Sequence, residues 1–418
     1  MHTALLNLLS LATPVRRTIR VDGVERVFWA QTPTAAPPSR GWPVVLSFHG
    51  WCMTATQQAD DDGLRKLGAS TAIVIHPEGY SDPTDCQQYD CSAWQSFNGG
   101  GSAGVEAGGS DGPICEPDYV AKDGWQCYKS CEALGYCTAG GGGGKCRWSH
   151  CLSDAAFVVA ILKSLDAPHD AARVYSTGHS NGAMVQYGLI ADPLTANLFA
   201  AVAPVAGVPH NGFNVGFAGG AQTRPRVLIV QGTHDTYVDP FTKVPGRDDK
   251  TFGKAYGWYY SSWSNTTALL AQQAGHTRPA APLPPPGGGA AAAIFNCSGW
   301  ATANASVVDI AGCLYDGPHS APAAAWTMVW AFFGLDAAPS SDTCTALGCG
   351  VHGAACYCNA ECEARGDCCA DYGATCKGVC PACGGYTCDE WIDWDPTKYS
   401  CAELERDFGC DCRGCMRC

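Results

Sequence analysis

The chain has 418 residues, 16% of them charged, and carries 26 Lys and Arg against 39 Asp and Glu, a formal net charge of −13. This acidic balance excludes nucleic-acid binding through a basic face. Because 46% of the residues are hydrophobic, general disorder is excluded, and one large domain with a smaller addition is expected. The 27 cysteines predict an oxidising compartment, and therefore a secreted, extracellular protein.

The N-terminal segment 1–14 is apolar and predicts a possible signal peptide, although it is short and has no basic start. An apolar arm packed on the following domain is the alternative. No apolar run reaches the roughly 18 residues that a membrane helix needs, so the sequence predicts no membrane span.

Residues 15–336 alternate between strand and helix patterns. A hairpin is predicted around Asp22-Gly23. Runs rich in β-branched residues then predict buried parallel strands, and the segment 153–165, with Ser153 as its cap, predicts a helix. The predicted hairpin strands are 17–21 and 25–30, and the predicted parallel strands are 44–48, 72–75, 173–176, 200–205 and 226–230. This order predicts an α/β domain.

Two segments interrupt this pattern. The insertion 86–151 contains eight cysteines and many glycines, so it is predicted to be rich in loops and braced by disulfides. The stretch 278–289 (RPAAPLPPPGGG) is too rich in Pro and Gly for the interior of a helix or strand, and is predicted to be a surface loop.

The pattern Gly-x-Ser-x-Gly occurs three times, around Ser102, Ser110 and Ser180. Only Ser180 lies between an apolar strand and a predicted helix, which is the context of a nucleophile elbow. Ser180 is therefore the predicted nucleophile, with an ordinary strand-to-helix turn as the alternative.

A serine nucleophile needs a histidine base and a carboxylate that orients it, here in the chain order Ser, Asp, His. Asp235 follows the strand 226–230 and is the predicted acid, with Asp239 as the alternative. His319 follows a predicted strand 306–310 and is the predicted base. A turn cap and a surface-loop residue are the alternatives for Asp235 and His319.

Backbone amides must also hold the oxyanion. The sequence favours the amide of Asn181, directly after the nucleophile, and that of Trp51, in the loop after the first central strand. His49, at the start of that loop, is predicted to be structural.

The segments PVVLSFHGW, RVYSTGHSNGAM, RVLIVQGTHDTYV and GPH, within residues 17–335, resemble the family that includes secreted feruloyl esterases and polyhydroxybutyrate depolymerases. The resemblance implies an α/β-hydrolase fold and ester hydrolysis through an acyl-enzyme on Ser180, Asp235 and His319, without a cofactor. The insertion 86–151 departs from the family pattern, so the substrate is not carried over. We expect Trp94, Trp125, Trp148 and Trp258 to wall the cleft, or to be buried supports.

The tail has 16 cysteines in residues 344–418 and follows an Ala/Pro/Ser linker, 337–343. Its segment 344–376, C-x4-C-x6-C-x-C-x3-C-x5-C-C-x6-C, resembles the somatomedin B domain, which implies a disulfide knot that binds a protein or surface partner. A further Cys-rich module, 377–418, lacks histidine, so disulfides are favoured over zinc and no metal is predicted. The odd cysteine total leaves at least one thiol free or paired to another chain.

Three sequons, at Asn265, Asn296 and Asn304, are candidate N-glycosylation sites. Taken together, the sequence predicts an α/β-hydrolase sheet with helices on both faces and small disulfide-rich C-terminal modules. The predicted function is a secreted serine esterase that acts on an ester-bearing polymer or small ester. The alternatives are an inactive hydrolase-fold binding or adhesion protein, and a serine peptidase on the same triad.

Overall fold

The structure is a computed structural model, and it describes residues 13–82, 94–99, 103–104, 114–115, 127–135, 145–146, 149–211, 213, 216–219, 224–244, 247–253, 257–301, 308–335, 382–383, 386–388, 392, 398–408 and 412. Contacts between backbone atoms divide the chain into two units, residues 1–36 with 42–336, and residues 37–41 with 337–418.

The larger unit alternates strands and helices along the chain. Its strands are β1 (Val15–Val21), β2 (Val24–Gln31), β3 (Trp42–Phe48), β4 (Ile73–Pro77), β5 (Ala103–Gly104), β6 (Lys145–Cys146), β7 (His169–His179), β8 (Ala201–Val205), β9 (Arg226–Gly232), β10 (Lys243–Val244), β11 (Arg247–Gly253), β12 (Trp258–Ser261), β13 (Ala281–Leu283), β14 (Phe295–Ala301) and β15 (Val308–Tyr315). Its helices are Ala55–Asp62, Leu64–Leu67, Lys129–Glu132, Asp154–Lys163, Asn181–Ala191, Trp263–Gln273, Gly289–Ala292 and Ala323–Phe332.

A ten-stranded sheet in the order β1-β2-β4-β3-β7-β8-β9-β15-β14-β13 forms the centre of this unit. The strands from β4 to β15 in this order run parallel. The hairpin β1-β2 and the strands β14 and β13 extend the sheet antiparallel at its two ends. Because the carboxyl ends of parallel strands meet at one edge, the loops after β3, β4, β7, β9 and β15 gather there.

Helices cover both faces of the sheet, as the sequence predicts. All seven residues of β3 are buried, and its side chains alternate between two cores, with Leu46 in one and Val45 in the other. The helix Asp154–Lys163 contributes Phe157 to the first core, and the helix Ala323–Phe332 contributes Trp326 to the second. The predicted fold class, an α/β-hydrolase sheet with disulfide-rich additions, is confirmed.

Two elements near the C-terminal end of this unit differ from the prediction. β15 begins at Val308 and continues to Tyr315, five residues beyond the predicted end at Ile310, because it pairs with β9 on one side and β14 on the other. The stretch 278–289 is not a loop throughout, since it contains the edge strand β13 with Pro282. Proline is tolerated there because an edge strand leaves one side of its backbone unpaired.

Disulfides brace the described part of the large unit. Cys131 is bonded to Cys151 within the insertion, and Cys297 on β14 is bonded to Cys313 on β15. Among the described cysteines, Cys52 is free and exposed.

The smaller unit is described in part. Its strands β16 (Ala382–Cys383) and β17 (Tyr386–Thr387) pair antiparallel, and the helix Cys401–Phe408 follows. A disulfide between Cys388 and Cys412 lies in a small core with Leu404 and Tyr399. The predicted linker 337–343, the segment 344–376 and residues 1–12 lie outside the described residues.

The described residues contain no helix that is long and apolar enough to cross a bilayer. They also contain no group of three or more His, Cys, Asp or Glu side chains arranged to hold a metal ion.

Candidate active site

Ser180 occupies a strained turn between β7 and the helix Asn181–Ala191. Its backbone has φ 54° and ψ −115°, and residues other than glycine rarely adopt such a positive φ. The turn is fixed because the Ser180 amide donates to the carbonyl of Val205 on β8 at 2.9 Å. Glycine is required at 182, since a Cβ atom there would collide with the carbonyl oxygen of Phe48. Ser102 and Ser110, in the other two motif copies, lie outside the described residues.

The structure brings Ser180, His319 and Asp235 together at the carboxyl edge of the sheet. The Ser180 Oγ lies 2.8 Å from His319 Nε2, and His319 Nδ1 lies 2.7 Å from Asp235 Oδ2. The Asp235 side chain is fully buried, whereas that of His319 retains 19% exposure. This arrangement allows a proton to pass from the hydroxyl to an imidazole whose tautomer the carboxylate fixes.

The Asp235 carboxylate is held by its own loop. Its Oδ1 accepts from the amides of Tyr237 at 2.8 Å and Val238 at 2.9 Å, and its Oδ2 accepts from the side-chain amide of Gln231 at 2.7 Å. The alternative acid, Asp239, instead accepts the amides of two following residues, Phe241 and Thr242. Asp239 thus caps its own turn, while Asp235 faces the imidazole.

His179, next to the nucleophile, is a site residue that the sequence analysis did not identify. Its Nε2 donates to the main-chain carbonyl of His319 at 2.9 Å, and the two rings lie 4.9 Å apart. Burial, together with the nearby His319, lowers the pKa of His179 to about 4. His179 is therefore a neutral donor near pH 7. Its position inside the Gly-His-Ser-Asn-Gly motif was the only sequence signal available for it.

The two residues predicted to supply the oxyanion donors lie where expected, Asn181 directly after the nucleophile and Trp51 in the loop after β3. Asn181 opens the helix after Ser180, and its buried side chain holds the backbone of Phe97 through bonds of 2.6 and 2.9 Å. Trp51 follows Gly50, where an added Cβ would lie 3.4 Å from Ser180 Cβ. The loop after β3 therefore lies directly against the nucleophile.

His49 holds that loop in place through two hydrogen bonds of its ring. Its ring is fully buried, its Nδ1 donates to the carbonyl of Gly50 at 2.7 Å, and its Nε2 accepts the amide of Gly79 at 2.7 Å. Burial lowers the pKa of His49 to about 4. A neutral imidazole thus connects the loop after β3 to the loop after β4.

Of the four tryptophans expected to wall the cleft or to be buried supports, Trp94 and Trp258 lie within the described residues. Trp94 is half-buried, with its ring 6.0 Å from that of Trp51. Trp258 is only 3% exposed and packs against His210 in the core, so it is a buried support that no substrate reaches. Trp125 and Trp148 lie outside the described residues. An unforeseen aromatic, Tyr237, is 42% exposed, and its ring lies 5.1 Å from that of His319.

Comparison with known families identifies the tail. Residues 342–379 match the Somatomedin B domain, which confirms the resemblance expected for 344–376 and extends it slightly at both ends. Somatomedin B domains and disulfide bonds are typical of extracellular proteins. A search of curated protein sequences gave no match.

Solved structures that resemble the chain include esterases, the class that the sequence motifs also resemble. An acetyl xylan esterase from Aspergillus awamori is 14% identical over 77% of this chain and 99% of its own, with a TM-score of 0.44. A ferulic acid esterase from Anaeromyces mucronatus, in complex with ferulic acid, is 14% identical over 77% of this chain and 91% of its own, with a TM-score of 0.36.

Proposed function

We propose that the chain is a secreted serine carboxylic-ester hydrolase that cleaves ester bonds of an extracellular polymer through an acyl-enzyme. The observation that carries this proposal is the pair of short contacts at His319, 2.8 Å to Ser180 Oγ and 2.7 Å to Asp235 Oδ2. A hydroxyl, an imidazole and a buried carboxylate in this order form the arrangement that activates a serine nucleophile.

In the proposed acylation step, the Ser180 Oγ attacks the ester carbonyl carbon while its proton moves to His319 Nε2. The tetrahedral oxyanion accepts hydrogen bonds from the backbone amides of Asn181 and Trp51. The bond from carbon to the alcohol oxygen then breaks, and the imidazolium returns its proton to the leaving alkoxide. The alcohol departs, and the acyl group remains on Ser180.

Deacylation repeats these steps with water as the nucleophile. His319 Nε2 takes a proton from water as its oxygen attacks the acyl carbon, and the same amides hold the second oxyanion. Collapse breaks the bond to Ser180 Oγ, which regains a proton from His319, and releases the carboxylic acid. The ionised Asp235 stabilises the imidazolium in both halves of the cycle.

A chromogenic ester assay tests the proposal. We expect the full chain to hydrolyse 4-nitrophenyl acetate and to be labelled at Ser180 by a fluorophosphonate, and Ser180→Ala to lose both properties. Ser164→Ala is the matched control, because Ser164 Oγ only closes the end of a helix by bonding the carbonyl of Ile161 at 2.7 Å. Equal turnover by wild type and Ser180→Ala, or none by either, would contradict the proposal.

Two alternatives use the same scaffold. An inactive binding or adhesion protein would neither turn over esters nor react with the fluorophosphonate, and the three filled triad positions argue against it. A serine peptidase would cleave casein in preference to esters. Among ester substrates, acetylated xylan, feruloylated arabinoxylan and poly(3-hydroxybutyrate) form the panel, and acid released from each polymer identifies the preferred class.

The tail and the sequons support the extracellular part of the proposal. We propose that the Somatomedin B domain holds the enzyme near a protein or surface partner. Asn304 lies outside the described residues. Asn296 is exposed on β14, whereas Asn265 lies half-buried and donates to Ser261 Oγ at 3.3 Å, so of these two Asn296 is the better glycan acceptor. Expression through a eukaryotic secretory pathway, followed by glycosidase digestion, tests this assignment.

A further inference from the structure

The larger unit contains a cavity whose lining includes none of the triad residues. Its volume is about 540 Å³, and it lies at the hairpin β1-β2 and the loops that follow β3 and β4. Its lining residues are Arg16, Glu25, Arg26, Val27, Trp29, Thr54, Thr56, Glu78, Gly79, Tyr80, Ser81 and Gln95.

The cavity and the nucleophile share one loop. Gly50, at the start of the loop after β3, approaches Ser180, while Thr54, at its end, lines the cavity. Four residues of extended chain span at most about 14 Å, which limits the separation between these two ends. The buried ring of His49 bonds Gly50 on one side and Gly79, a lining residue, on the other. A polymeric ligand is long enough to span a separation of this size.

The lining combines aromatic faces with groups that form hydrogen bonds. Trp29 and Tyr80 are half-buried and leave part of their surface exposed. Thr54, Thr56 and Ser81 supply hydroxyl groups, and Gln95 supplies an amide. Rings beside hydroxyls and amides suit a ligand that has both an apolar face and polar edges.

The lining also contains a carboxylate and an amide oxygen. The carboxylate of Glu78 accepts the Ala55 amide at 3.1 Å and a hydrogen bond from the Gln95 side chain. Within the described part of the chain, no donor is bonded to the amide oxygen of Gln95. An unpaired buried acceptor is costly, and a ligand hydroxyl supplies the kind of donor that this oxygen lacks.

The charges of the lining argue against an ionic ligand. The positive charge of Arg16 stabilises the carboxylate of Glu78 electrostatically. Arg26 forms an ion pair with the buried Asp154 at 2.8 Å. Glu25 adds a further negative charge at the rim. No unbalanced positive charge remains in this lining for a phosphate or carboxylate. A neutral ligand with several hydroxyl groups fits these surroundings best.

We propose that this cavity binds a neutral sugar unit of a polysaccharide, next to the site where the ester of the same chain is cleaved. A sugar ring places its C–H face on an aromatic side chain, while its hydroxyls donate to carboxylate and amide oxygens and accept from hydroxyl or guanidinium groups. The proposal rests on the proposed function only in treating the polysaccharide as substrate. Sugar binding itself requires no hydrolysis.

Affinity electrophoresis tests binding without catalysis. The full chain carrying Ser180→Ala is run through native gels that contain soluble xylan, arabinoxylan or glucomannan, and its mobility is compared with that in plain gels. We expect retardation by at least one of these polymers. On the same background, Trp29→Ala should weaken binding roughly tenfold by removing the aromatic face, while Trp29→Phe should retain most of it.

Trp300→Ala is the matched control, because it removes another half-buried indole from β14, near the opposite end of the sheet. It should leave the retardation unchanged. The proposal is overturned if none of the polymers retards the parent, or if Trp29→Ala and Trp29→Phe are both retarded as strongly as the parent. Near-UV circular dichroism of each variant separates a lost contact from a lost fold.

A kinetic experiment separates the two proposals. With Ser180 intact, Trp29→Ala should raise KM for the esterified polysaccharide about tenfold and leave kcat/KM for 4-nitrophenyl acetate unchanged. If no ester is hydrolysed but Trp29-dependent retardation persists, the proposed function fails and the sugar site stands. If both esters are hydrolysed with unchanged KM in Trp29→Ala, the sugar site fails and the esterase stands.

Discussion

His179 Nε2 donates a hydrogen bond of 2.9 Å to the main-chain carbonyl of His319. The residue before the candidate nucleophile thus holds the backbone of the candidate base, although 140 positions separate them. The contact acts on the loop of His319 and leaves both ring nitrogens of that residue to Ser180 and Asp235. His179 is accordingly a positioning residue rather than a catalytic one.

Removing this donor should lower the rate of the chemical step more than it weakens substrate binding. We expect His179→Leu to lower kcat for 4-nitrophenyl acetate by about 10- to 100-fold while KM changes less than about twofold, because the imidazole is no longer held in register with Ser180. His179→Gln, which keeps a side-chain N–H, should recover part of the loss. Equal effects of Leu and Gln on kcat would show that the hydrogen bond is unimportant.

Substitutions of the two acidic residues in the loop after β9 should have very different effects on kcat. Asp235→Asn should lower kcat by about 10³- to 10⁴-fold, because an amide no longer fixes the Nδ1–H tautomer of His319 or stabilises its cation. Asp239→Asn should change kcat by less than about threefold, since Asp239 only accepts local backbone amides. Steady-state kinetics on both purified variants measure the contrast, and comparable losses in the two would contradict the assignment.

The glycine after Asn181 should contribute strongly to the stability of the fold. Gly182→Ala places a Cβ against the carbonyl of Phe48, so we expect the free energy of unfolding to fall by about 3 kcal/mol. Gly219→Ala is the control, because an added Cβ there meets no atom within 4 Å. Its stability should remain within about 0.5 kcal/mol of wild type. Urea unfolding of both variants tests the difference.

Buried neutral histidines should make the protein sensitive to mild acid. Burial lowers the pKa of His49, His150 and His179 to about 4 each and that of His210 to about 3. The unfolded chain therefore binds more protons than the folded chain below the ordinary histidine pKa of about 6.5. The contribution of these histidines to the free energy of unfolding should be fully present above that pH, and it should decline as the pH falls toward 4.

Each such histidine contributes a slope of up to about 1.4 kcal/mol per pH unit within this window. We expect His150→Gln to reduce the slope of unfolding free energy against pH between 6 and 4.5. His234→Gln, which changes a 72% exposed side chain, should leave it unchanged. Urea titrations at several pH values measure the slope, and a flat profile for the wild type would contradict the prediction.

The disulfide between β14 and β15 should stabilise the strand that leads to His319. The bond joins Cys297 and Cys313, 16 positions apart and both buried. Replacing both with alanine should lower the unfolding free energy by about 3 kcal/mol. Cys52→Ala removes the free, exposed thiol instead and should have little effect. Thermal unfolding under non-reducing conditions compares the two variants.

The sequence by itself determined the local features. Apolar runs of β-branched residues marked the parallel strands, and Ser153 marked a helix start, because these preferences act over a few neighbouring residues. The glycines around Ser180 marked the strained turn for the same reason. The order of Ser, Asp and His along the chain further narrowed the choice of candidate residues.

Only the tertiary structure decided which side chains meet. The sequence favoured Asp235 over Asp239 but left both open, and of the two it is Asp235 that faces His319, which lies 84 positions away. For Trp258 the sequence left a cleft wall and a buried support both open, and the packing of β12 places it in the core. The physical reason is that propensity and periodicity constrain neighbouring residues, whereas the edge of a folded sheet joins loops whose separation along the chain carries no information about their distance in space.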